Sequence, residues 1–325
     1  MREYGQLTEE DRIEIYAMKQ AGKQQNHIAA TLAVHPSTIS RELSRNTGLR
    51  SYRPKQAQQK TLHRRFTARK AVKMTPETID YIESRLTEKH SPEQIAERMK
   101  LDPDWHGLTV SHERIYQHIW QDKAQGGMLY KHLRIGGTKQ QRKRRNSRDM
   151  RGTIKNRVGI QERPKIVERK IRIGDWEGDT IVGKNHQGAL VTLVERKSKL
   201  TLIGKVDRYT AEAVEKTIIS LMELLPRRNY TLTVDNGKEF ASHESVAETL
   251  QIKVYFADPY SAWQRGLNEN TNGLIRQYVP KGSDVRSLTD HQIQHIVDRL
   301  NNRPRKSLGF LTPNEVFYER KKLTG

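Results

Sequence analysis

The sequence predicts a multidomain protein in which all-α helical units come first and an α/β domain with a mixed five-stranded sheet follows. Three observations lead to this prediction. Apolar residues recur at helical spacing in two early segments, strand-like runs alternate with helical segments after residue 171, and basic residues concentrate between these parts. The chain therefore divides into five segments, which are 1–48, 49–74, 75–135, 136–170 and 171–325.

The charge balance favours a polyanionic partner. The 325 residues include 59 Lys and Arg against 38 Asp and Glu, which leaves a net charge of +21. Most of the excess lies in residues 1–170, where 36 basic residues accompany 19 acidic ones. A solubility charge would be spread more evenly, so this clustering favours binding to nucleic acid.

Several classes of protein are excluded or disfavoured by composition. The chain has no cysteine, which excludes disulfide scaffolds, thiol nucleophiles and cysteine-ligated zinc or iron–sulfur clusters. No apolar run reaches the roughly 18 residues that a membrane helix requires, and the first twenty residues lack the apolar core of a signal peptide. We expect a cytoplasmic protein that has no membrane partner.

Segment 1–48 has the plan of a helix-turn-helix. Thr8 is the expected N-cap of its first helix, and Pro36 begins its third helix, in which Ile39 and Leu43 face inward. Small polar residues and arginines on the outer face of such a helix suit contacts with bases and phosphates. The alternative is an ordinary three-helix bundle. The candidate DNA-binding residues are Ser37, Thr38, Ser40, Arg41 and Arg45.

Segment 75–135 repeats this plan, with Ser91 and Ser111 as helix caps and outward-facing His112 and Arg114 as candidate DNA contacts. A small packing domain explains the same pattern nearly as well. Segments 49–74 and 136–170 are predicted to be basic linkers. We expect the second linker to contact DNA phosphates through the charges between Arg142 and Arg148, unless it is only a tether.

The α/β domain is predicted element by element from residue 171. Strand-like runs span residues 176–182, 189–196, 200–206, 230–234 and 253–257. Helical periodicity spans residues 210–225, 242–250, 267–278 and 289–301. Three antiparallel strands followed by two strands reached through crossover helices predict a mixed sheet with helices on both faces.

Acidic residues mark three places in this domain. Asp175, Glu177 and Asp179 alternate along one strand and so share a face, Asp235 ends another strand, and Glu269 begins a helix. Carboxylates brought together in this way require a cation, and oxygen ligands suit Mg²⁺ or Mn²⁺. Each acid also has a structural explanation, as a solvated strand face, a tight turn or a complement to the helix dipole. His291 and His295, four residues apart, fit an ordinary helix face better than a metal site.

Three segments together resemble the DDE transposases and retroviral integrases, whose catalytic domain has a ribonuclease-H-like fold. They are 176–180, 235–240 and 265–277, and 33 residues separate Asp235 from Glu269. Segments 36–46, 111–116 and 302–313 extend the resemblance to the insertion-sequence-thirty family of bacterial transposases. Retroviral integrases carry an N-terminal zinc unit with cysteine ligands, which the absence of cysteine excludes for this chain.

This resemblance implies that Asp179, Asp235 and Glu269 are catalytic residues that bind two Mg²⁺ or Mn²⁺ ions, and that Arg276 contacts substrate DNA. Asp175 and Glu177 share the face of Asp179 and could assist it. The implied function is binding of the terminal inverted repeats of an insertion sequence, metal-dependent cleavage at its ends, and transfer of the cut strands into double-stranded target DNA. A homo-oligomer on DNA, associated with the bacterial nucleoid, is expected because two ends must be paired.

Two other functions remain compatible with these motifs. The first is a helix-turn-helix regulator with an inactive ribonuclease-H-like domain, which the intact acidic triad disfavours. The second is a nuclease of the same fold that cuts DNA without joining strands.

Overall fold

The structure is a computed structural model that describes residues 6–68, 73–102, 105, 107, 109–134, 154–226, 229–259 and 261–318. Contacts among these residues divide the chain into two compact units, Met1–Val72 and Lys73–Gly325. Each unit buries an apolar core of its own.

Within its described residues, the first unit consists of four helices. Their bounds are Glu9–Gln20 (α1), Gln25–Thr31 (α2), Pro36–Asn46 (α3) and Pro54–Thr67 (α4). Thr8 caps α1 as predicted, because its hydroxyl accepts a hydrogen bond from the backbone N–H of Asp11. Ile39 and Leu43 of α3 are buried, as their spacing predicted. The helices α1 to α3 therefore confirm the predicted order of the helix-turn-helix plan.

Helix α4 lies in segment 49–74, which was predicted to be a basic linker. It has no apolar repeat, since Ala57 is its single buried residue, and periodicity therefore could not reveal it. Polar contacts hold it to the other helices. Arg12 of α1 donates to Gln58 Oε1 at 2.7 Å, and Arg64 donates to Asn46 Oδ1 of α3 at 2.5 Å.

A buried ion pair joins α1 to α3. Arg12 Nε donates to Glu42 Oε1 at 2.8 Å, and the two side chains are only 4% and 8% exposed. The Tyr52 hydroxyl donates to the same carboxylate oxygen at 3.1 Å. Burial, followed by the charge of Glu42, raises the pKa of Tyr52. The placement of α3 against α1 thus depends on a charge pair that is almost free of solvent.

Three further helices open the second unit. They span Pro76–Thr87 (α5), Pro92–Leu101 (α6) and His112–Ala124 (α7). Ser91 caps α6 and Ser111 caps α7, as predicted. Their apolar faces meet in one core that includes Ile82, Leu86, Ile95, Met99, Ile115 and Ile119.

Helix α6 packs against the C-terminal part of the chain. Arg98 Nη2 lies 2.5 Å from Glu315 Oε1, and Gln94 Nε2 donates to the carbonyl of Pro304 at 2.7 Å. Glu315 belongs to a short helix, Pro313–Phe317 (α13). Burial alone would raise the pKa of this carboxyl, but hydrogen bonds, foremost that from Arg98, lower it. The second helical segment is therefore fixed to the α/β domain within one unit.

The predicted mixed five-stranded sheet is confirmed. Its strands are Asp175–Val182 (β1), Ala189–Glu195 (β2), Thr201–Val206 (β3), Thr231–Val234 (β4) and Lys253–Phe256 (β5). They lie in the order β3-β2-β1-β4-β5. Strands β1 to β3 pair antiparallel, while β4 is parallel to both β1 and β5.

Helices cover both faces of this sheet. Ala211–Glu223 (α9) and His243–Leu250 (α10) pack on one face, whereas Gly266–Ile275 (α11) and Asp290–Asn301 (α12) pack on the other. Helix α13 closes the first of these cores, where the ring of Phe317 meets that of Trp176 edge-on with 6.2 Å between centroids.

The described part of segment 136–170 lies on the sheet. Phe256 N–H donates to the carbonyl of Val158 at 2.9 Å, and the buried Arg163 donates to the Thr233 hydroxyl at 2.8 Å. A short helix, Lys165–Arg169 (α8), leads into β1. Residues 135–153, which include the predicted phosphate contacts between Arg142 and Arg148, lie outside the described residues. No helix within the described ranges is both long and apolar enough to cross a lipid bilayer.

Candidate active site

The two aspartates of the predicted triad lie on neighbouring strands. Asp179 belongs to β1, and Asp235 directly follows β4. The parallel register pairs Glu177 with Thr233, and two further residues along each strand bring Asp179 beside Asp235. Because side chains alternate along a strand, both carboxylates point to the same face of the sheet.

One guanidinium group joins these two carboxylates. Arg265 Nη1 lies 3.4 Å from Asp179 Oδ1, and Arg265 Nη2 lies 3.1 Å from Asp235 Oδ2. Arg265 Nη1 also donates to the carbonyl of Gly178 at 3.2 Å. The negative charges of two neighbouring carboxylates repel each other unless a cation lies close to both, and Arg265 is that cation here.

Further hydrogen bonds fix the orientation of both carboxylates. Asp179 accepts from the backbone N–H of Thr180 at 2.9 Å and from Asn272 Nδ2, also at 2.9 Å. Asp235 accepts from the backbone N–H of Gly237 at 2.8 Å, within the Asp-Asn-Gly turn that follows β4. The oxygen atoms are therefore held in place by the strand, the turn and helix α11.

The pKa of the Asp179 carboxyl is raised. Burial is the main cause, and the negative charge of Asp235 adds to it, while the nearby guanidinium of Arg265 works in the opposite direction. Ionisation of the Asp179 carboxyl is therefore unfavourable in this environment. A cation bound to its oxygen atoms would stabilise the ionised form.

Glu269 lies on the helix that carries these contacts. Arg265, Glu269 and Asn272 are separated by four and three residues, so they share one face at the start of α11. The outer two residues touch Asp179, whereas the Glu269 side chain is exposed to solvent. Among the described residues, no three acidic, histidine or cysteine side chains converge closely enough to hold a metal ion.

Asp175 and Glu177, which share the face of Asp179, are engaged in buried contacts of their own. Asp175 accepts from Arg172 Nε at 2.8 Å. Glu177 Oε1 pairs with Arg196 at 2.5 Å, and its Oε2 accepts from the backbone N–H of Asn268 at 3.1 Å. Both carboxylates are thus occupied, and Glu177 ties β1 to the first turn of α11.

Three residues near the aspartates were not among the predicted site residues. Arg265 and Asn272 carried a signal, because spacings of four and three residues place them on the helix face of Glu269. Glu239 carried none. It accepts hydrogen bonds from the Thr180 hydroxyl at 3.1 Å and from the Tyr209 hydroxyl at 2.5 Å, and both donors are distant in sequence.

The candidate DNA-binding residues of α3 differ in exposure. Ser40, Arg41 and Arg45 are exposed, whereas Ser37 and Thr38 are half-buried. Arg41 and Arg45 border a groove of about 520 Å³ between α3 and α4, to which α4 adds Arg64 and Arg65. The arginine-rich outer surface of the first unit is therefore extended by the helix that sequence analysis did not predict.

The other predicted contacts belong to the second unit. His112 and Arg114 are exposed on the first turn of α7. Arg276, at the end of α11, bends back and donates to the carbonyl of Pro280 at 3.3 Å. Burial lowers its pKa.

Comparisons with known proteins agree with both parts of the fold. Residues 3–46 match a helix-turn-helix domain family, and residues 170–262 match the integrase core domain. The chain is 46% identical over 314 residues to the transposase for insertion sequence element IS4351 of Bacteroides fragilis, covering 96% of this chain and 95% of that protein.

Two further relatives are similar over comparable lengths. The transposase for insertion sequence element IS1086 of Cupriavidus metallidurans is 38% identical, and the match covers 96% of this chain and 94% of that protein. The transposase InsI for insertion sequence element IS30A of Escherichia coli is 35% identical, with coverage of 97% and 84% respectively.

Proposed function

The chain belongs to the IS30 family of insertion-sequence transposases, and we propose that it binds the terminal inverted repeats of its own element, cleaves the DNA there and transfers the cut strands. The reaction class is phosphoryl transfer between DNA strands. We assign Asp179, Asp235 and Glu269 as the residues that hold the catalytic cations. The target is double-stranded DNA.

The observation that carries this proposal is the meeting of Asp179 and Asp235 at one cationic group, Arg265. Neighbouring strands hold the two carboxylates side by side, and α11 presents Glu269 on the face that already touches Asp179. Two carboxylates beside a positive charge, with a third on the adjoining helix face, are oxygen donors of the kind that Mg²⁺ and Mn²⁺ prefer. When bound, two such ions supply activation of the attacking oxygen and charge stabilisation of the leaving oxygen.

The side chains around the carboxylates have separate tasks. Thr180 and Asn272 orient the oxygen atoms of Asp179, and the turn at Gly237 orients those of Asp235. Arg265 balances the two charges in this structure. Its guanidinium would become available to a phosphate oxygen of DNA if bound cations took over that role. Catalysis then depends on positioning and charge stabilisation.

DNA binding is assigned to the helical parts of the chain. The exposed Arg41 and Arg45 on α3 contact the terminal repeats, and His112 and Arg114 on α7 add contacts from the second helical segment. Because transposition pairs two element ends, the active species is a homo-oligomer on DNA. The protein works where the bacterial chromosome lies, in the cytoplasm.

The test uses a labelled duplex that carries the inverted repeat found beside the gene. The wild-type protein is expected to nick this duplex only when Mg²⁺ or Mn²⁺ is present, and Glu269→Gln is expected to lose nicking while it binds the duplex normally. Glu248→Gln, which changes an exposed glutamate on α10, is the matched control and should remain active.

Three results would contradict the proposal. Equal nicking by Glu269→Gln would remove the assignment of this residue. Cut ends that are never joined to a second duplex would identify a nuclease. Binding without any metal-dependent nicking would identify a DNA-binding regulator with an inactive domain.

A further inference from the structure

A second cavity lies beside the start of α11. Its volume is about 660 Å³, within the range of roughly 300–1,000 Å³ that is usual for ligand sites. Gly266, Leu267 and Asn270 of α11 form part of its wall. At 100° per residue, Leu267 and Asn270 lie about 160° and about 100° around the helix from Glu269, so one helix borders both sites.

An unusually exposed indole forms part of this cavity wall. The chain has four tryptophans, and the Trp263 side chain is 78% exposed whereas that of Trp176 is fully buried. Trp263 lies in the short turn Ala262–Arg265, two residues before the guanidinium that joins the aspartates. An exposed indole in the wall of a cavity offers a flat face on which a planar ring can stack.

Two lysines of the same wall have no carboxylate partner among the described residues. The wall carboxylates, Glu168 and Glu177, already pair with Arg196 at 3.3 Å and 2.5 Å. Lys170 forms no ion pair with a described residue, and Lys199 Nζ donates only to the backbone carbonyl of Arg196. Burial and the neighbouring charge of Lys170 lower the pKa of Lys199 to about 8. The two ammonium groups are therefore suited to an anionic ligand.

We propose that this cavity binds an unpaired stretch of DNA strand, with a base stacked on Trp263 and the adjoining phosphates held by Lys170 and Lys199. An aromatic face combined with basic groups is the usual platform for single-stranded nucleic acid. A paired base within a duplex is covered by its neighbours in the stack. It can present its face to the indole only after it has separated from its partner, so an intact duplex is excluded as the ligand.

This inference rests on the proposed function, because it concerns the strand that the carboxylates cut. The turn that carries Trp263 leads directly into α11, and Glu177 of the cavity wall lies two residues before Asp179 on β1. The cavity therefore adjoins the aspartates, and a strand that leaves them around the start of α11 passes its mouth. The cavity would hold nucleotides that separate from their complement next to the cleavage point.

Intrinsic fluorescence tests the stacking directly. Oligothymidylate of 12 nucleotides, titrated into the full-length protein, is expected to quench the tryptophan emission of wild type and of Trp120→Phe. Trp120 is 46% exposed on α7 and serves as the matched control. Trp263→Phe is expected to lose the quench. Quenching that persists in Trp263→Phe, or a blunt duplex that quenches wild type as strongly as the single strand, would overturn the proposal.

Affinity measurements test the same interactions independently. Trp263→Ala is expected to bind the oligonucleotide roughly 5- to 150-fold more weakly, the range that removal of one stacked base produces. The double variant Lys170→Gln with Lys199→Gln should reduce the slope of log affinity against log salt by about 1.4, because each neutralised phosphate of a single strand accounts for about 0.7. Lys216→Gln, on the exposed surface of α9, is the control and should leave the slope unchanged.

The two proposals fail separately. Glu269→Gln is expected to keep the fluorescence quench although it loses nicking, because Glu269 does not border the cavity. A quench without any metal-dependent nicking in wild type would remove the proposed function and leave the strand-binding site. Nicking without a quench would remove the strand-binding site alone.

Discussion

Removing the charge of Glu42 is expected to destabilise the first unit while the second unit stays folded. Glu42→Gln leaves the Arg12 guanidinium, which is 4% exposed, without a counter-charge. Breaking a buried ion pair from one side costs about 3–5 kcal/mol. A unit the size of Met1–Val72 is stabilised by only about 4–11 kcal/mol, at roughly 0.05–0.15 kcal/mol per residue. The substitution therefore removes between about a quarter and all of its stability.

Hydrogen exchange measured by mass spectrometry on the full chain distinguishes the two units. Amides of α3 should exchange about 140- to 4,000-fold faster in Glu42→Gln, since each 1.4 kcal/mol is a factor of ten. Amides of β1 and β2 should not change. Glu14→Gln, at an exposed position of α1, is the control.

The double variant Arg12→Met with Glu42→Leu should recover much of the lost stability, because it removes both charges and fills the space with apolar atoms. Two outcomes would refute the reasoning. One is an exchange rate in α3 that rises less than about fivefold in Glu42→Gln, which corresponds to about 1 kcal/mol. The other is a double variant that is no more stable than the single one.

Two further predictions concern the second unit. Arg265→Ala removes the cation between Asp179 and Asp235, so the metal-free protein should melt about 2–4 °C lower, which corresponds to about 1 kcal/mol. Mn²⁺ should then raise the Tm of Arg265→Ala more than that of the wild type, because the ions no longer compete with the guanidinium. Equal Tm shifts of the two proteins in calorimetry would contradict this prediction. Glu315→Gln should cost about 1–2 kcal/mol at neutral pH. The ion pair of Glu315 with Arg98 keeps the pKa of the carboxyl below its ordinary value of 4.5 despite burial. The extra stability of the wild type should therefore be complete above pH 4.5 and be lost as the pH falls through the lower pKa of the folded state. A stability difference that does not change with pH in denaturation curves would contradict the assignment.

Local sequence patterns were enough to predict the α/β domain. Strand β2 is buried along its whole length, and its run of β-branched and aliphatic residues is typical of a central strand. The caps at Thr8, Ser91 and Ser111 depend on contacts three residues away, which the sequence shows directly. Asp179 and Asp235 could be paired because neighbouring strands in a predictable topology hold them.

Contacts between distant polar residues could not be predicted in this way. Helix α4 is held by Arg12 and Arg64, which bond to partners 46 and 18 residues away and leave no apolar repeat. The guanidinium of Arg265 could be placed on the face of Glu269, but its position between two aspartates depends on how α11 meets the sheet. The cavity at Trp263 is likewise formed by segments that no periodicity connects.

The edge-on contact of Phe317 with Trp176 has a consequence for truncated copies of the chain. The ring of Phe317 completes a core against a tryptophan only three positions before Asp179. A copy that stops at Thr312 would keep Asp179, Asp235 and Glu269 and yet leave a gap behind the strand that carries Asp179. Such a truncation is therefore expected to inactivate the protein by unfolding it, although no predicted site residue is lost.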